Sequence, residues 1–166
     1  CHSGHTMITR PDLQRFGWSM GAIFLIALAD VTMKTLIMDF LLSHSSSFYP
    51  VFHGFNLNVV WNTGISFGLF RALPSFVLLM VTGGVVVGLL VWLYKTEQTW
   101  ERWALCLIIG GALGNMRDRI LYGAVYDFLD VYVGSYHWPA FNLADSCIVV
   151  GVFLLLYRQI VPKQGG

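Results

Sequence analysis

The stretch Gly110–Asp145, GGALGNMRDRILYGAVYDFLDVYVGSYHWPAFNLAD, sets the terms on which the whole chain must fold. It places Asp118, Asp127, Asp130 and Asp145, with Arg117 and Arg119, in and between two strongly apolar segments. A carboxylate at or near hydrocarbon is costly, so such groups usually face a protein interior or a wet cavity and mark function. Four of the nine acidic residues fall in this one segment, and an account of the fold has to give them partners.

Outward from that stretch, the 166-residue chain is 56% hydrophobic and only 11% charged, with a mean hydropathy of +0.65. That is too apolar and too charge-poor for an ordinary soluble domain and reads as an integral membrane protein. Since each crossing takes about 20 apolar residues, the length suits one compact bundle of a few spans. A net charge of +1 with no basic block leaves no electrostatic footprint for nucleic acid, so partners are expected in the bilayer. Cys1, Cys106 and Cys147 are far apart and form no CxxC pair, which argues against a disulfide framework or a metal site. Small apolar filler is the expected role.

The apolar runs predict an α-helical membrane protein with four transmembrane helices, at about residues 18–42, 74–94, 103–122 and 143–161. Residues 1–10 read as a tag or trimmed terminus, and 11–166 as a single domain. The first run is too long for the apolar core of a signal peptide, carries Asp30 and Lys34, and is taken as a retained span. The second has no internal charge, and its Gly83, Gly84 and Gly88 are expected to let a neighbouring helix come close. Arg10, Arg15, Lys95, Arg102, Arg158 and Lys163 fall on one side of such a bundle, while nothing basic lies between Ile120 and Cys147. By the positive-inside rule both termini are then cytoplasmic and the two long connections face outward. In the first of these, residues 43–73, the pieces Phe55–Trp61 and Ile65–Phe70 favour β structure. Their separation by Asn62-Thr63-Gly64 suggests a small hairpin-like sheet lying on the membrane surface.

Several groups in these elements can carry chemistry. Asn115, Asp118 and Arg119 are spaced to share one helix face and to hold one another. Asp30 and Lys34, four apart, suit an ion pair inside the bundle, and Asp39 an interfacial position. Asn142 is a credible N-cap for the fourth helix, with Asp145 in its first turn. Asp127, in AVYDFLDV, can fold back toward Asp145. Two carboxylates brought close cannot both ionise easily and share a proton, as in aspartic hydrolases. The same carboxylates would also suit a proton relay in a small transporter or channel, or plain ion pairing between helices. Gly64-Ile65-Ser66-Phe67-Gly68 fits G-x-S-x-G, but without a strand-turn-helix in a parallel sheet it is a chance match. The histidines form no ligand pattern on a helix, so no metal site is expected.

Taken together, WNTGISFGL, GGALGNMRDR followed by GAVYDFLDV, and WPAFNLADSCI resemble, in order and spacing, the sequence blocks of the bacterial lipoprotein signal peptidases (signal peptidase II), over about Trp18 to Ile160. The resemblance implies an aspartic endopeptidase of the bacterial inner membrane with four transmembrane helices and a small periplasmic β-sheet cradle. Its substrates would be diacylglyceryl-modified prolipoproteins, cut just before the lipidated cysteine at the periplasmic face. It further implies a monomer among membrane lipid, with no nucleic acid, metal or cofactor. Carried over by motif position, the catalytic pair falls on Asp127 and Asp145. Asn62, Asn115, Asp118, Arg119 and Asn142 fall on supporting positions, and Asp30 and Lys34 on a polar pair of the first helix. Tyr126 stands where a small aliphatic residue is common, and Arg117 adds a charge; both bear on substrate access.

Overall fold

The computed structural model describes residues 10–64 and 74–160. The runs expected to be helical are helical: α1 (Arg10–Ser43), α2 (Ser75–Lys95), α3 (Thr99–Tyr122) and α4 (Leu143–Ile160). α1 starts well before its apolar run because nothing in PDLQRF stops it, and proline is tolerated in a first turn. α1 and α2 are long and apolar enough to cross a membrane, and α4 holds a shorter apolar stretch, Leu143–Tyr157. Large apolar side chains such as Phe24, Leu25, Leu36, Val81, Val87 and Phe153 point outward, whereas Asp30, Lys34, Asn115, Asp118 and Asn142 are buried. This inside-out distribution belongs to a protein solvated by lipid, where a buried polar group has to be satisfied internally.

α3 is the hub. It packs against α1, α2 and α4, and its glycines decide how closely. A Cβ on Gly111 would lie 2.4 Å from the Ala144 carbonyl oxygen, and one on Gly114 would lie 2.6 Å from Asp30 Oδ2. Gly110 faces Ile26 of α1 in the same way, and Gly151 of α4 faces Ile108 and the Ala104 carbonyl of α3. The expectation for α2 is corrected here: Gly84 and Gly88 have no atom within 4 Å of such a Cβ, and Gly83 meets only Met116 at 3.8 Å. Close approach is needed where helices bring polar side chains together, and α2 contributes an almost wholly apolar surface.

A four-stranded antiparallel sheet lies at the end of the bundle that carries the acidic residues. It is formed by β1 (Phe48–Phe52), β2 (Phe55–Asn62), β3 (Val125–Val133) and β4 (Tyr136–His137), in that spatial order. The sheet therefore extends beyond residues 43–73, and its first hairpin turns at His53-Gly54, where Gly54 has φ +94. The partners of β2 are β1 and β3. Residues 65–73, which hold the expected strand Ile65–Phe70, the G-x-S-x-G match and Arg71, lie outside the described residues, as do residues 1–9 and Lys163.

Gly123 caps α3 in the left-handed region (φ 71), with its N–H on the Arg119 carbonyl 3.1 Å away, and turns the chain directly into β3. Phe141 then pairs with β3, exchanging backbone hydrogen bonds with Leu129 of 2.9 and 3.1 Å. The start of α4 is thereby fastened to the strand that carries Asp127.

Gly111→Ala and Gly114→Ala are expected to destabilise the protein by about 1–3 kcal/mol each, because the added methyl meets backbone or a buried carboxylate. Gly84→Ala and Gly88→Ala should be neutral or slightly stabilising. Thermal unfolding of the four variants in detergent checks this, and equal effects at all four positions would contradict the packing.

Candidate active site

Two polar layers meet beneath the sheet. The lower one centres on Lys34 of α1, which is buried. Its ammonium lies 2.7 Å from Asp30 Oδ2 and 2.8 Å from Asp118 Oδ2, and donates to Asn115 Oδ1 at 3.2 Å. Two carboxylates and an amide oxygen thus surround the one ammonium. Asp30 Oδ1 accepts the Ala144 N–H at 2.9 Å, in the first turn of α4, where a carboxylate is favoured by the helix dipole. Asp118 also accepts from the Tyr126 N–H at 3.3 Å and pairs with Arg117 at 3.2 Å. The expected Asp30–Lys34 pair is present, but Asp118 is held by Lys34 and Arg117 rather than by Arg119. Arg119 instead donates to the Gly64 carbonyl at 2.8 Å.

The upper layer holds Asp127 and Asp145. Asn142 caps α4: its Oδ1 accepts the Asp145 N–H at 2.9 Å while Asp145 Oδ2 accepts the Asn142 N–H at 3.2 Å. This reciprocal capping box fixes the Asp145 side chain at the helix entrance. The Asn142 amide nitrogen donates to Asp127 Oδ1 at 2.8 Å, and to Asn115 Oδ1 at 3.0 Å. Asn115 donates to Asp145 Oδ1 at 2.8 Å, and Asn62 to Asp127 Oδ2 at 3.1 Å. Asn142 and Asn115 thus link both carboxylates to each other and to the Lys34 layer, while Asn62 holds Asp127 from the other side.

Asp127 is 2% exposed, and burial, reinforced by the charge of Asp145, pushes its carboxyl up to about 7; Asn62, Lys34 and Asn142 pull the other way. That direction, a buried carboxyl that holds its proton more tightly, is what a carboxyl pair sharing one proton needs. The two carboxylates border a cavity of about 250 Å³ that Asn62, Asn115 and Arg119 also line. Its remaining walls, Thr82 of α2, Ala112 of α3, and Ile148 and Val149 of α4, are mostly apolar. Ile148 and Val149 follow Asp145 by three and four residues and were findable by helical spacing, and Thr82 is the one polar side chain in the middle of α2. A larger cavity of about 580 Å³ lies elsewhere, between α1 and α3. Chemistry, not size, identifies the site.

Other singled-out residues fall outside it. Tyr126 is buried with its ring 5.5 Å from Trp61 and 5.8 Å from Phe128, and it does not line the carboxylate cavity. Arg117 is engaged with Asp118 and lies over the Tyr122 ring, 5.8 Å from its centroid. Asp130 is on β3, where Asn56 and His137 contact it at 2.8 Å each. That cross-strand clamp had no sequence signal, because its members are 74 and 7 residues apart.

Residues 22–161 match the family described as Signal peptidase (SPase) II. A protein of Anaplasma phagocytophilum (strain HZ) named "Lipoprotein signal peptidase" is 46% identical over 116 residues, covering 69% of this chain and 74% of that one. A protein of the same name from Thermodesulfovibrio yellowstonii is 42% identical over 140 residues, covering 84% and 92%. A solved structure described as a bacterial membrane enzyme superposes with a TM-score of 0.72 at 25% identity, covering 90% of this chain and 94% of that one.

Lys34→Met should destabilise the fold by about 3–5 kcal/mol, because it leaves two buried carboxylates without their shared cation. A wild-type unfolding midpoint for that variant would contradict the arrangement. Asp127 adds a pH dependence. Its native carboxyl holds a proton more tightly than the ordinary carboxyl at 3.8, so its contribution to stability is full below about pH 4 and is lost as pH rises through about 7. Unfolding midpoints between pH 4 and 8 should show this slope in wild type and a flatter one in Asp127→Asn.

Proposed function

This chain belongs to the signal peptidase II family, and we propose from that premise that Asp127 and Asp145 make it an aspartic endopeptidase. It removes the signal peptides of lipoproteins. The observation that carries the proposal is that two carboxylates from different elements border one cavity, with Asp127 pushed up to about 7 by burial and by Asp145. One carboxyl is then available as acid and the other as base near neutral pH.

In the proposed mechanism the ionised partner takes a proton from water, which attacks the scissile carbonyl while the protonated partner donates to that carbonyl's oxygen. The proton then moves to the leaving amine as the roles exchange. Asn142 and Asn62 orient Asp127, and Asn115 orients Asp145. Lys34, Asp30 and Asp118 are positioning residues, since they act through Asn115 and the start of α4. Arg119 lines the cavity with a buried Nε–H that has no partner among the described residues, and so offers a donor to a carbonyl of the bound peptide.

The substrate proposed is a diacylglyceryl-modified prolipoprotein, cut just before the lipidated cysteine. Withdrawing acyl chains from the bilayer costs about 0.8 kcal/mol per CH₂, so the enzyme has to meet the bond at the membrane. The apolar walls supplied by Ala112, Ile148 and Val149 fit the signal peptide, with the scissile bond at the carboxylates. We place the protein in the bacterial inner membrane as a monomer with four crossings and both termini cytoplasmic. Arg15 and Arg102 line one cavity at the end of the bundle away from the carboxylates, which supports that orientation. Transport is not supported: the relatives are named as peptidases, and Asp30 and Asp118 are closed off by Lys34.

The experiment uses purified protein in detergent with a diacylglyceryl-modified prolipoprotein, followed by gel shift. Wild type should cut before the lipidated cysteine, and Asp127→Asn and Asp145→Asn should each lose about 10²-fold or more of the rate while remaining folded. Two folded variants that still cut would remove both residues from the catalytic role. Activity should also decline as pH rises through about 7, where the shared proton is lost; a rate that keeps climbing to pH 9 would contradict the dyad.

A further inference from the structure

A cavity of about 580 Å³, larger than the one at the carboxylates, lies away from them. It lies between α1 and α3, and its head at Arg102 is 17 residues, about 25 Å, along α3 from Arg119 of the carboxylate site. Two helical stripes face each other across it. Arg15, Trp18, Ser19 and Ala22 line it from α1, and Thr99, Arg102, Trp103 and Cys106 from α3, both at the spacing of a single helix face.

The charges at its head are two guanidiniums and one carboxylate, Glu97. Arg102 is held in place by the Thr96 carbonyl at 2.7 Å and by Ser19 Oγ at 3.5 Å, while its buried Nε–H has no partner among the described residues. Among the described side chains neither Arg15 nor Arg102 has a carboxylate at ion-pair distance. A fixed guanidinium with no carboxylate at ion-pair distance among the described side chains, facing a second one on the other helix, leaves the head net positive despite Glu97 and attracts a phosphate.

Below the head the lining turns apolar, with Ala22 and Leu25. Trp18 and Trp103, 76% and 58% exposed, flank it, as indoles do at the headgroup level of a bilayer. Gly21 lines it too, and a Cβ there would meet nothing within 4 Å, so the groove is open at that point.

We propose that this groove is a binding site for an anionic glycerophospholipid, its phosphodiester between Arg15 and Arg102 and one acyl chain along the α1–α3 groove. Basic pockets between membrane helices take such headgroups, and the cavity volume is in the range of a small-molecule site. The site is separate from the peptidase centre and does not depend on the assignment of that centre.

The test is a titration of the full chain in neutral detergent with dioctanoyl-phosphatidylglycerol, dioctanoyl-phosphatidylcholine or inorganic phosphate, read by the thermal unfolding midpoint. Wild type should bind the anionic lipid about tenfold more tightly than the zwitterionic one and respond little to phosphate. Arg15→Gln, at an exposed residue, should abolish that preference. Gly21→Leu, which fills the groove and keeps both arginines, should weaken the anionic lipid about tenfold. Equal affinity of wild type for the two lipids, unchanged preference in both variants, or an equal response to inorganic phosphate would overturn the proposal.

Discussion

The rest of the structure depends on the buried ammonium of Lys34. Asp30, Lys34 and Asp118 have almost no exposure, and in hydrocarbon each alone would be strongly unfavourable. With both carboxylates held within 2.8 Å of the ammonium, they become a joint between α1 and α3. The one positive charge does not balance two carboxylates, and the surplus is taken up by the Ala144 and Tyr126 N–H groups and by Arg117. Those contacts reach the start of α4 and the start of β3, so satisfying the buried charges also fixes the elements that carry Asp145 and Asp127.

Close helix packing follows from the same constraint. For Asp30 to reach the Ala144 N–H past α3, the backbone of α3 must lie against both neighbours, and Gly111 and Gly114 leave room where any Cβ would collide. In lipid there is no water to release between helices, so such packing and the polar contacts it permits carry the association. α2 has neither feature and meets α3 through apolar side chains, and it is the helix whose wall bounds the carboxylate cavity.

The sheet performs the second half of the assembly. Phe141 pairs with Leu129 of β3 immediately before Asn142. One residue later the Asn142 side chain caps α4 and touches Asp127. A strand residue and a helix residue 18 positions apart in the sequence are thus held around one cavity by a single amide. Burial there raises the proton affinity of Asp127 and leaves Asp145, which is only half-buried, in contact with the cavity.

The sequence by itself determined the helices, since apolar runs of spanning length admit few other structures. It also determined the i, i+4 pair Asp30–Lys34 and the cap at Asn142, because both are local and their partners lie within one helical turn. Motif spacing further singled out Asn62, Asn115, Asp118, Arg119, Asp127 and Asp145, all of which the fold gathers around the two polar layers. Only the tertiary structure decided who holds whom. The counter-charge of Asp118 is Lys34, 84 residues away, rather than its neighbour Arg119. The edge strand β1, the Asn56–Asp130–His137 clamp and the glycines of α3 likewise answer to partners distant in the chain. A pattern along one helix or strand reports the face it presents; which charge or backbone meets that face is set by the crossing of elements, and that is fixed when the buried groups are satisfied together.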